Sequence, residues 1–159
     1  MKYSDSRIVI PRLSKPVSFA ALMALYESNY IQLMRFLNAD RKHIDYGEAT
    51  IRYDKHAVHC RIEDVTTYTS LVCIDEDLFD QGEPVRINHF RIRLYHDALC
   101  AAVTSSIQEN TDYQLKSLPL NQSRLRVLWQ QNMFLNKWLA YCLSRKLVFT
   151  GKIDENTDS

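Results

Sequence analysis

The middle of the chain alternates apolar and polar residues over several short stretches that are separated by short polar links. Side chains along a β-strand point to opposite faces of a sheet in turn, so each stretch predicts a half-buried strand. Consecutive strands with short links pair antiparallel. The pattern predicts a meander of five or six strands, expected at 50–53, 57–63, 66–74, 85–95 and 98–104, with the sixth around 113–115.

An amphipathic helix is predicted on each side of this meander. The first begins after Ser18, a residue type that favours the N-cap, and runs to about Leu37 with an apolar residue every three or four positions. The second begins after Ser123 and reaches about Lys146. We therefore expect an α+β fold, in which an N-terminal helix precedes the antiparallel meander and a C-terminal helix packs on the sheet.

A chain of 159 residues fits a single domain. Residues 1–16 are expected to form an extended N-terminal arm, because Pro11 and Pro16 disfavour helix there. Residues 17–150 are expected to form the α+β domain, and the polar residues 151–159 a frayed C-terminal tail.

Composition excludes several classes of function. Twenty Lys and Arg against nineteen Asp and Glu leave a net charge of +1, so the charge balance does not favour nucleic acid or an anionic membrane. With only three glycines, a Gly-rich phosphate loop is nearly excluded, and no Walker, Rossmann, His-Glu-x-x-His or Gly-x-Ser-x-Gly motif occurs. No signal-peptide core or membrane-length apolar stretch is visible. We expect a cytoplasmic protein without a membrane segment.

The four cysteines predict reduced thiols in the core. Each lies in an apolar stretch, and none forms a Cys-x-x-Cys pair, which a structural zinc site usually needs. Free cysteines are among the most buried residue types, and reduced thiols are typical of the cytosol. No metal and no cofactor is expected. The cysteines are Cys60, Cys73, Cys100 and Cys142.

A basic stripe is the leading candidate for a ligand or partner site. Its residues share one face of the sheet by alternation, provided that the second and fourth strands lie near each other. Three interpretations stay open: a solvated face with cross-strand ion pairs that include Glu63, a protein interface, and a nucleotide or RNA surface on which an aromatic ring stacks. The stripe consists of His59, Arg61, Arg91, Arg93 and Tyr95.

His96 and Asp97 are weak candidates for catalysis. A catalytic dyad needs a hydrogen bond between imidazole and carboxylate, whereas neighbours in an extended chain point to opposite faces. We expect a structural role instead, in which Asp97 accepts backbone hydrogen bonds in a turn and His96 continues the apolar face of the strand before it.

Residues 75–84 are predicted to form an acidic loop. Hard cations favour several convergent carboxylates, but Phe79 stands where a calcium loop needs a third ligand, so a solvated loop is the favoured interpretation. The acidic residues of this segment are Asp75, Glu76, Asp77, Asp80 and Glu83.

Four motifs together are similar to those of a known family. They are Leu-Met-Ala-Leu-Tyr-Glu-Ser-Asn-Tyr at 22–30, Thr-Thr-Tyr-Thr at 66–69, Arg-Leu-Tyr-His-Asp-Ala at 93–98 and Trp-Leu-Ala-Tyr-Cys-Leu at 138–143. In order and spacing, over about residues 20–145, they resemble the YqiB-like proteins of proteobacteria, a family of unknown function. The resemblance implies a small bacterial cytosolic protein and brings no activity with it.

The chain departs from the family pattern at two places. The family has a Glu near the position of Ala102, and an acidic pair where this chain has residues 126–128, Arg-Val-Leu. A carboxylate-dependent site of the family would therefore be incomplete here, which lowers the expectation of an enzyme.

The sequence favours a non-enzymatic binding or adaptor module. A protein partner or self-association is expected, through the outer sheet face and any apolar helix surface left exposed. The alternatives are a nucleotide- or RNA-binding module that uses the basic stripe, and a small enzyme with a site at His96 and Asp97.

Overall fold

The computed structural model describes residues 16–39, 46–106 and 122–149. The predicted sixth strand around 113–115, the C-terminal tail 151–159 and all of the N-terminal arm except Pro16 lie outside the described residues.

Among the described residues, a five-stranded antiparallel sheet lies between two helices in the chain order, which confirms the predicted α+β meander. The strands pair in sequence order, from β1 at one edge to β5 at the other. The elements are α1 (Phe19–Phe36), β1 (Gly47–Tyr53), β2 (His56–Glu63), β3 (Thr69–Leu78), β4 (Val85–Tyr95), β5 (Cys100–Ser106) and α2 (Gln122–Ser144).

Helix α1 begins as its sequence predicts, whereas α2 does not. The Ser18 hydroxyl accepts a hydrogen bond from the backbone N–H of Ala21 at 3.0 Å, as an N-cap does. Just after α1, Asn38 adopts a left-handed φ of 51°, a conformation that commonly follows a helix end and that Asn tolerates. Ser123 lies inside α2, so its predicted role as the cap is wrong.

The bounds of β4 are as predicted, and the end of β3 is not. The predicted acidic loop from residue 75 is wrong in its first part, because β3 continues to Leu78 and includes Asp75, Glu76 and Asp77. These acidic residues stay in the strand because each side chain meets a polar partner on a neighbouring strand. At the other end of β3, Thr66 belongs to a turn, where its hydroxyl accepts from the Thr69 N–H at 3.1 Å.

The other strands start or end within a few residues of prediction. The predicted link at 54–56 is a two-residue turn, so β2 already begins at His56, and β1 starts at Gly47 rather than at Thr50. The turn after β4 spans four residues, which shifts β5 to Cys100–Ser106.

Both helices pack on one face of the sheet and form the main core with it. Trp138 is fully buried there, in edge contact with Phe36 and tilted against Phe90. Burial of such large aromatic side chains is a main source of folding free energy. Neither described helix is long and apolar enough to cross a membrane. The sheet contributes to this core Val58, Cys60, Ile62, Val72, Ile74, Phe90, Ile92, Leu94, Ala101 and Val103.

Asparagine side chains join the two helices to each other and to the sheet. The Asn29 amide donates to the backbone carbonyl of Asn132 at 3.2 Å, and Asn136 donates to Asn29 Oδ1 at 3.0 Å. Asn132 Oδ1 accepts from the Val103 N–H of β5 at 2.9 Å. Buried amides need such partners, so the contacts fix how far α2 can slide along α1 and β5.

A carboxylate lies inside the core, at the end of the sheet where β1 turns into β2. Glu76 is 0% exposed. Its Oε1 accepts from Asn88 Nδ2 at 2.6 Å and from Trp138 Nε1 at 3.1 Å. Its Oε2 accepts from the Tyr53 hydroxyl at 2.6 Å and lies 3.1 Å from His56 Nδ1. Both oxygens therefore have two partners, drawn from three other strands and α2.

Glu76→Gln is expected to lower the free energy of unfolding by roughly 2–4 kcal/mol, because an amide group would turn N–H bonds toward buried donors and remove the charge that they stabilise. Urea denaturation measures the change. Glu83→Gln, at an exposed loop position, is the matched control and should stay within about 0.5 kcal/mol of wild type. A loss at Glu76 no larger than at Glu83 would contradict a supporting role for this carboxylate.

Candidate functional site

The face of the sheet away from the helices, here called the outer face, carries charged side chains in rows across the strands. Residues directly opposite each other on paired strands share a face, so the register defines each row. From β1 to β4 the rows are Arg52–Ala57–Asp77–Arg86, Thr50–His59–Asp75–His89 and Glu48–Arg61–Cys73–Arg91, followed by Glu63–Leu71–Arg93 from β2 to β4 and Thr69–Tyr95 from β3 to β4. The predicted alternation thus places all five residues of the basic stripe on one face.

The second row alternates imidazoles with a carboxylate. His89 Nδ1 lies in hydrogen-bond contact with Asp75 Oδ1. At the β1 end of the row, His59 Nδ1 lies 2.8 Å from the Thr50 hydroxyl. The other ring nitrogen, Nε2, lies 3.6 Å from Oδ2 of Asp77 in the first row. His59 is therefore held by polar groups on both ring nitrogens. Neither His89 nor the carboxylates Asp75 and Asp77 were predicted from the sequence to take part in this arrangement.

Glu63, the first residue of the fourth row, interacts with two arginines of the third row. Its carboxylate accepts from Arg61 Nε at 2.9 Å and lies 3.5 Å from Arg91 Nη1. The hydrogen bond from Arg61, followed by the charges of Arg61 and Arg91, lowers the pKa of Glu63 below its ordinary value despite partial burial. Arg61 and Arg91, two of the five stripe residues, thus form an ion-pair network with Glu63. This arrangement corresponds to the predicted alternative of a solvated face with ion pairs that include Glu63.

Cys73 lies beneath this network and is buried. Arg91 Nη1 is 3.6 Å from its sulfur. Burial, followed by the charge of Glu63, raises the pKa of the Cys73 thiol. The thiolate is the nucleophilic form of cysteine, so these surroundings disfavour thiol chemistry at this position.

A register shift brings Arg86 onto the outer face. The pairing of β3 with β4 shifts between Glu76 and Asp77, so that Asn88 pairs with Glu76 and Arg86 with Asp77. Without the shift, Arg86 would share the core face with Asn88. With it, Arg86 Nε donates to Asp77 Oδ1 at 2.6 Å and Nη1 lies 3.1 Å from Asp75. β-bulges often re-aim a side chain in this way.

A depression of about 250 Å³ opens on the outer face over β1, β2 and β3. Its lining is polar and includes Glu48, Thr50, His59, Arg61 and Asp75. Hydrogen-bond donors and acceptors, together with charges of both signs, can orient a polar group here. Within the described ranges, no set of three His, Cys, Asp or Glu side chains is placed to hold a metal ion.

At the end of the outer face that carries Arg93 and Tyr95, positive charge is less neutralised by nearby carboxylates. In the described part of the chain, Arg93 has no carboxylate within ion-pair distance. Tyr95 is 41% exposed, and Leu99 in the turn after β4 is 46% exposed. Tyr68, 63% exposed, precedes the Thr69–Tyr95 pair, and its carbonyl accepts from the His96 N–H at 2.7 Å. Arginine, two tyrosines and a leucine thus lie at one end of the sheet.

His96 and Asp97 do not meet as a dyad. The His96 ring is buried on the core side, where Nδ1 lies 2.9 Å from the Tyr30 hydroxyl and Nε2 lies 2.8 Å from the Ser70 hydroxyl. Asp97 is exposed in the turn. His96 thus continues the face of Ile92 and Leu94, as predicted. Ser70 is 0% exposed, so this serine–histidine contact is closed to a substrate.

The polar cluster around Glu76 was not predicted from the sequence. A usable signal existed, because Glu76 continues the two-residue period of Val72 and Ile74 on the core face. The acidic composition of 75–77 outweighed that period in the prediction. The donors themselves come from four separate elements, and their convergence has no local sequence signal.

Glu63→Gln is expected to reduce stability by at most about 1 kcal/mol, since the ion pairs are partly exposed. Because folding lowers the pKa of Glu63 from 4.5, its contribution is complete above that value and disappears as the pH falls through the lower folded-state pKa. Urea denaturation of both proteins at neutral pH and in steps below pH 4.5 measures this. A difference that stays constant down the acid range would contradict an electrostatic role.

Comparison with known proteins agrees with the motifs identified in the sequence. The family model described as a protein of unknown function (DUF1249) matches residues 32–147. The uncharacterised protein YqiB of Escherichia coli strain K12 is 33% identical over 138 residues, covering 79% of this chain and 89% of the relative, and YqiB of Escherichia coli O157:H7 matches to the same extent. No solved structure matches the chain. The predicted resemblance to YqiB-like proteins is thus confirmed, and the chain belongs to the DUF1249 family.

Proposed function

We propose that this protein is a non-enzymatic binding module, which recognises a protein partner at the Arg93–Tyr95 end of its outer face. The observation that carries the proposal is the exposure of Tyr95, Tyr68 and Leu99 beside Arg93. Tyrosine and arginine are enriched among the residues that contribute most to protein–protein binding. A partner that covers these rings would gain the free energy of removing their apolar surface from water.

The charge pattern of the outer face favours a protein over a nucleic acid. On the described strands this face carries five arginines and four carboxylates, and the central ones form ion pairs. Phosphate backbones are bound by cations whose charge is not already neutralised. A surface of mixed sign instead complements another surface of mixed sign. The charged residues are Arg52, Arg61, Arg86, Arg91, Arg93, Glu48, Glu63, Asp75 and Asp77.

The geometry around His96 gives little support to the enzymatic alternative. A general base has to reach the proton that it removes. His96 is 5% exposed and has both ring nitrogens in contact with Tyr30 and Ser70. These contacts suit a polar connection between α1 and the end of the sheet.

The cysteines support a cytoplasmic location. All four are free, and Cys60, Cys73 and Cys142 are buried. Unpaired thiols persist where the compartment is reducing. We therefore expect the partner to be a cytoplasmic protein.

Arg93→Glu and Tyr95→Ala are each expected to reduce recovery of the partner by at least about ten-fold, the effect of removing an energetically central contact. The measurement is quantitative mass spectrometry of proteins captured by the tagged chain from its host cells. Arg35→Glu and Phe19→Ala, both at exposed positions of α1, are the matched controls and should retain the partner.

Two results would contradict the proposal. In the first, both outer-face variants retain every protein that the wild type captures. In the second, the captured material is nucleic acid that nuclease or high salt removes, which would favour the RNA-binding alternative because phosphate contacts weaken steeply with salt.

A further inference from the structure

Leu99, in the turn after β4, combines two features that do not help the chain to fold. Its side chain is 46% exposed, so much of its apolar surface stays in water. Its backbone has a left-handed φ of 55°, a conformation in which Cβ lies too close to the following carbonyl oxygen. Backbone strain of this kind persists where function requires it, so the position calls for a functional reason.

The other left-handed positions show what the turn would prefer at residue 99. Among the described non-glycine residues with a left-handed φ, Leu99 alone is apolar; the other five are Asn38, Asp54, Asp64, Gln81 and Lys146. Asn and Asp tolerate this conformation because their short polar side chains can bond to the nearby backbone. A residue of that kind would suit both the turn and the solvent. Leucine at this position therefore indicates a role for the side chain outside the fold.

Tyr68, which is 63% exposed, lies beside this turn on backbone that is held in place. The Thr66 N–H donates to the Thr69 carbonyl at 2.8 Å and closes the turn that contains Tyr68. The Tyr68 carbonyl accepts from the His96 N–H at 2.7 Å, which joins that turn to the one that carries Leu99. Exposed side chains on such fixed backbone lose little conformational entropy when a partner covers them.

The charge of Arg93 selects the chemistry of the partner. Arg61 and Arg91 share Glu63, whereas among the described residues no carboxylate lies within ion-pair distance of Arg93. A guanidinium presents planar pairs of donors that match a carboxylate. A phosphate group carries about two negative charges and is usually bound by a cluster of arginines. One available guanidinium beside engaged ones therefore suits a single carboxylate.

We infer that the partner binds this end of the sheet through a short acidic segment, in which an Asp or Glu pairs with Arg93 and a neighbouring apolar side chain packs against Tyr95 and Leu99. The inference rests on the proposed function and adds the chemistry of the segment. Arg93 and Tyr95 are two residues apart on β4, about 7 Å, and point to the same face. Side chains of neighbouring residues in an extended segment can span that distance.

Random peptides displayed on phage are the probe, selected in parallel on the wild-type chain and on Arg93→Glu. The wild type is expected to enrich peptides in which Asp or Glu lies close to an aromatic or aliphatic residue. Arg93→Glu should enrich Lys or Arg in place of the acid, because reversal of one charge selects the opposite sign in the partner. Arg35→Glu, an equal charge reversal at an exposed position of α1, is the matched control and should enrich the same peptides as the wild type.

Leu99→Asn separates a role in binding from a role in the fold. Asn tolerates the left-handed conformation, so the melting temperature is expected to stay at the wild-type value or to rise by roughly 1–4 °C. The affinity for the peptide most enriched by the wild type, measured by fluorescence anisotropy with a labelled copy, should fall about ten-fold. A variant that melts earlier and binds the peptide as the wild type does would show that Leu99 serves the fold, and would overturn its part in the inference.

Three further results would overturn the inference. The first is a wild-type selection that enriches no peptide or peptides without an acidic residue, and the second is equal binding of the enriched peptide by Arg93→Glu. The third is binding that becomes at least about ten-fold tighter when phosphoserine replaces the acidic residue, because the site would then recognise phosphate. In each case the proposed function still stands if capture of the partner depends on Arg93 and Tyr95, so the two failures are distinguishable.

Discussion

Placing a carboxylate in a protein core costs several kcal/mol unless each oxygen finds hydrogen-bond donors, and the region around Glu76 meets that requirement. Its partners Tyr53, His56, Asn88 and Trp138 belong to β1, β2, β4 and α2. None of these elements can shift relative to β3 without leaving a buried charge short of a partner. The carboxylate therefore fixes the end of the sheet where β2 begins and sets the depth at which α2 packs through Trp138.

Strand β3 holds both helices by polar contacts at opposite ends of its core face. At one end, Ser70 contacts His96, which in turn contacts Tyr30 of α1. At the other end, Glu76 accepts from Trp138 of α2. Ser70 and Glu76 are six positions apart, which is about 20 Å at strand spacing. Apolar contacts between these two ends contribute folding free energy by burying hydrophobic surface. Directional hydrogen bonds at the ends favour one position of each helix over shifted ones, so they give the packing its specificity.

Local periodicity allowed the prediction of α1, the bounds of β4 and the face on which the basic stripe lies, because each of these depends on neighbouring residues alone. The end of β3 was wrong because acidic composition suggested a loop, whereas strand pairing depends on partners elsewhere in the chain. The same limit applies to Arg86, which reaches the outer face only through the register shift beside Asp77. Contacts such as Asn88 with Glu76 join residues of different strands, and a single sequence contains no signal for them.

The geometry of the strands decides which charges of the outer face neutralise each other. Glu63 and Arg61 are two residues apart on β2, so both side chains lie on the outer face and form an ion pair. Arg91 of β4 reaches the same carboxylate across β3, above the buried Cys73. Arg93 lies two residues further along β4, and among the described residues no carboxylate lies within ion-pair distance of it. The same face thus carries a neutralised network and, at its Arg93 end, a charge that stays available to a partner.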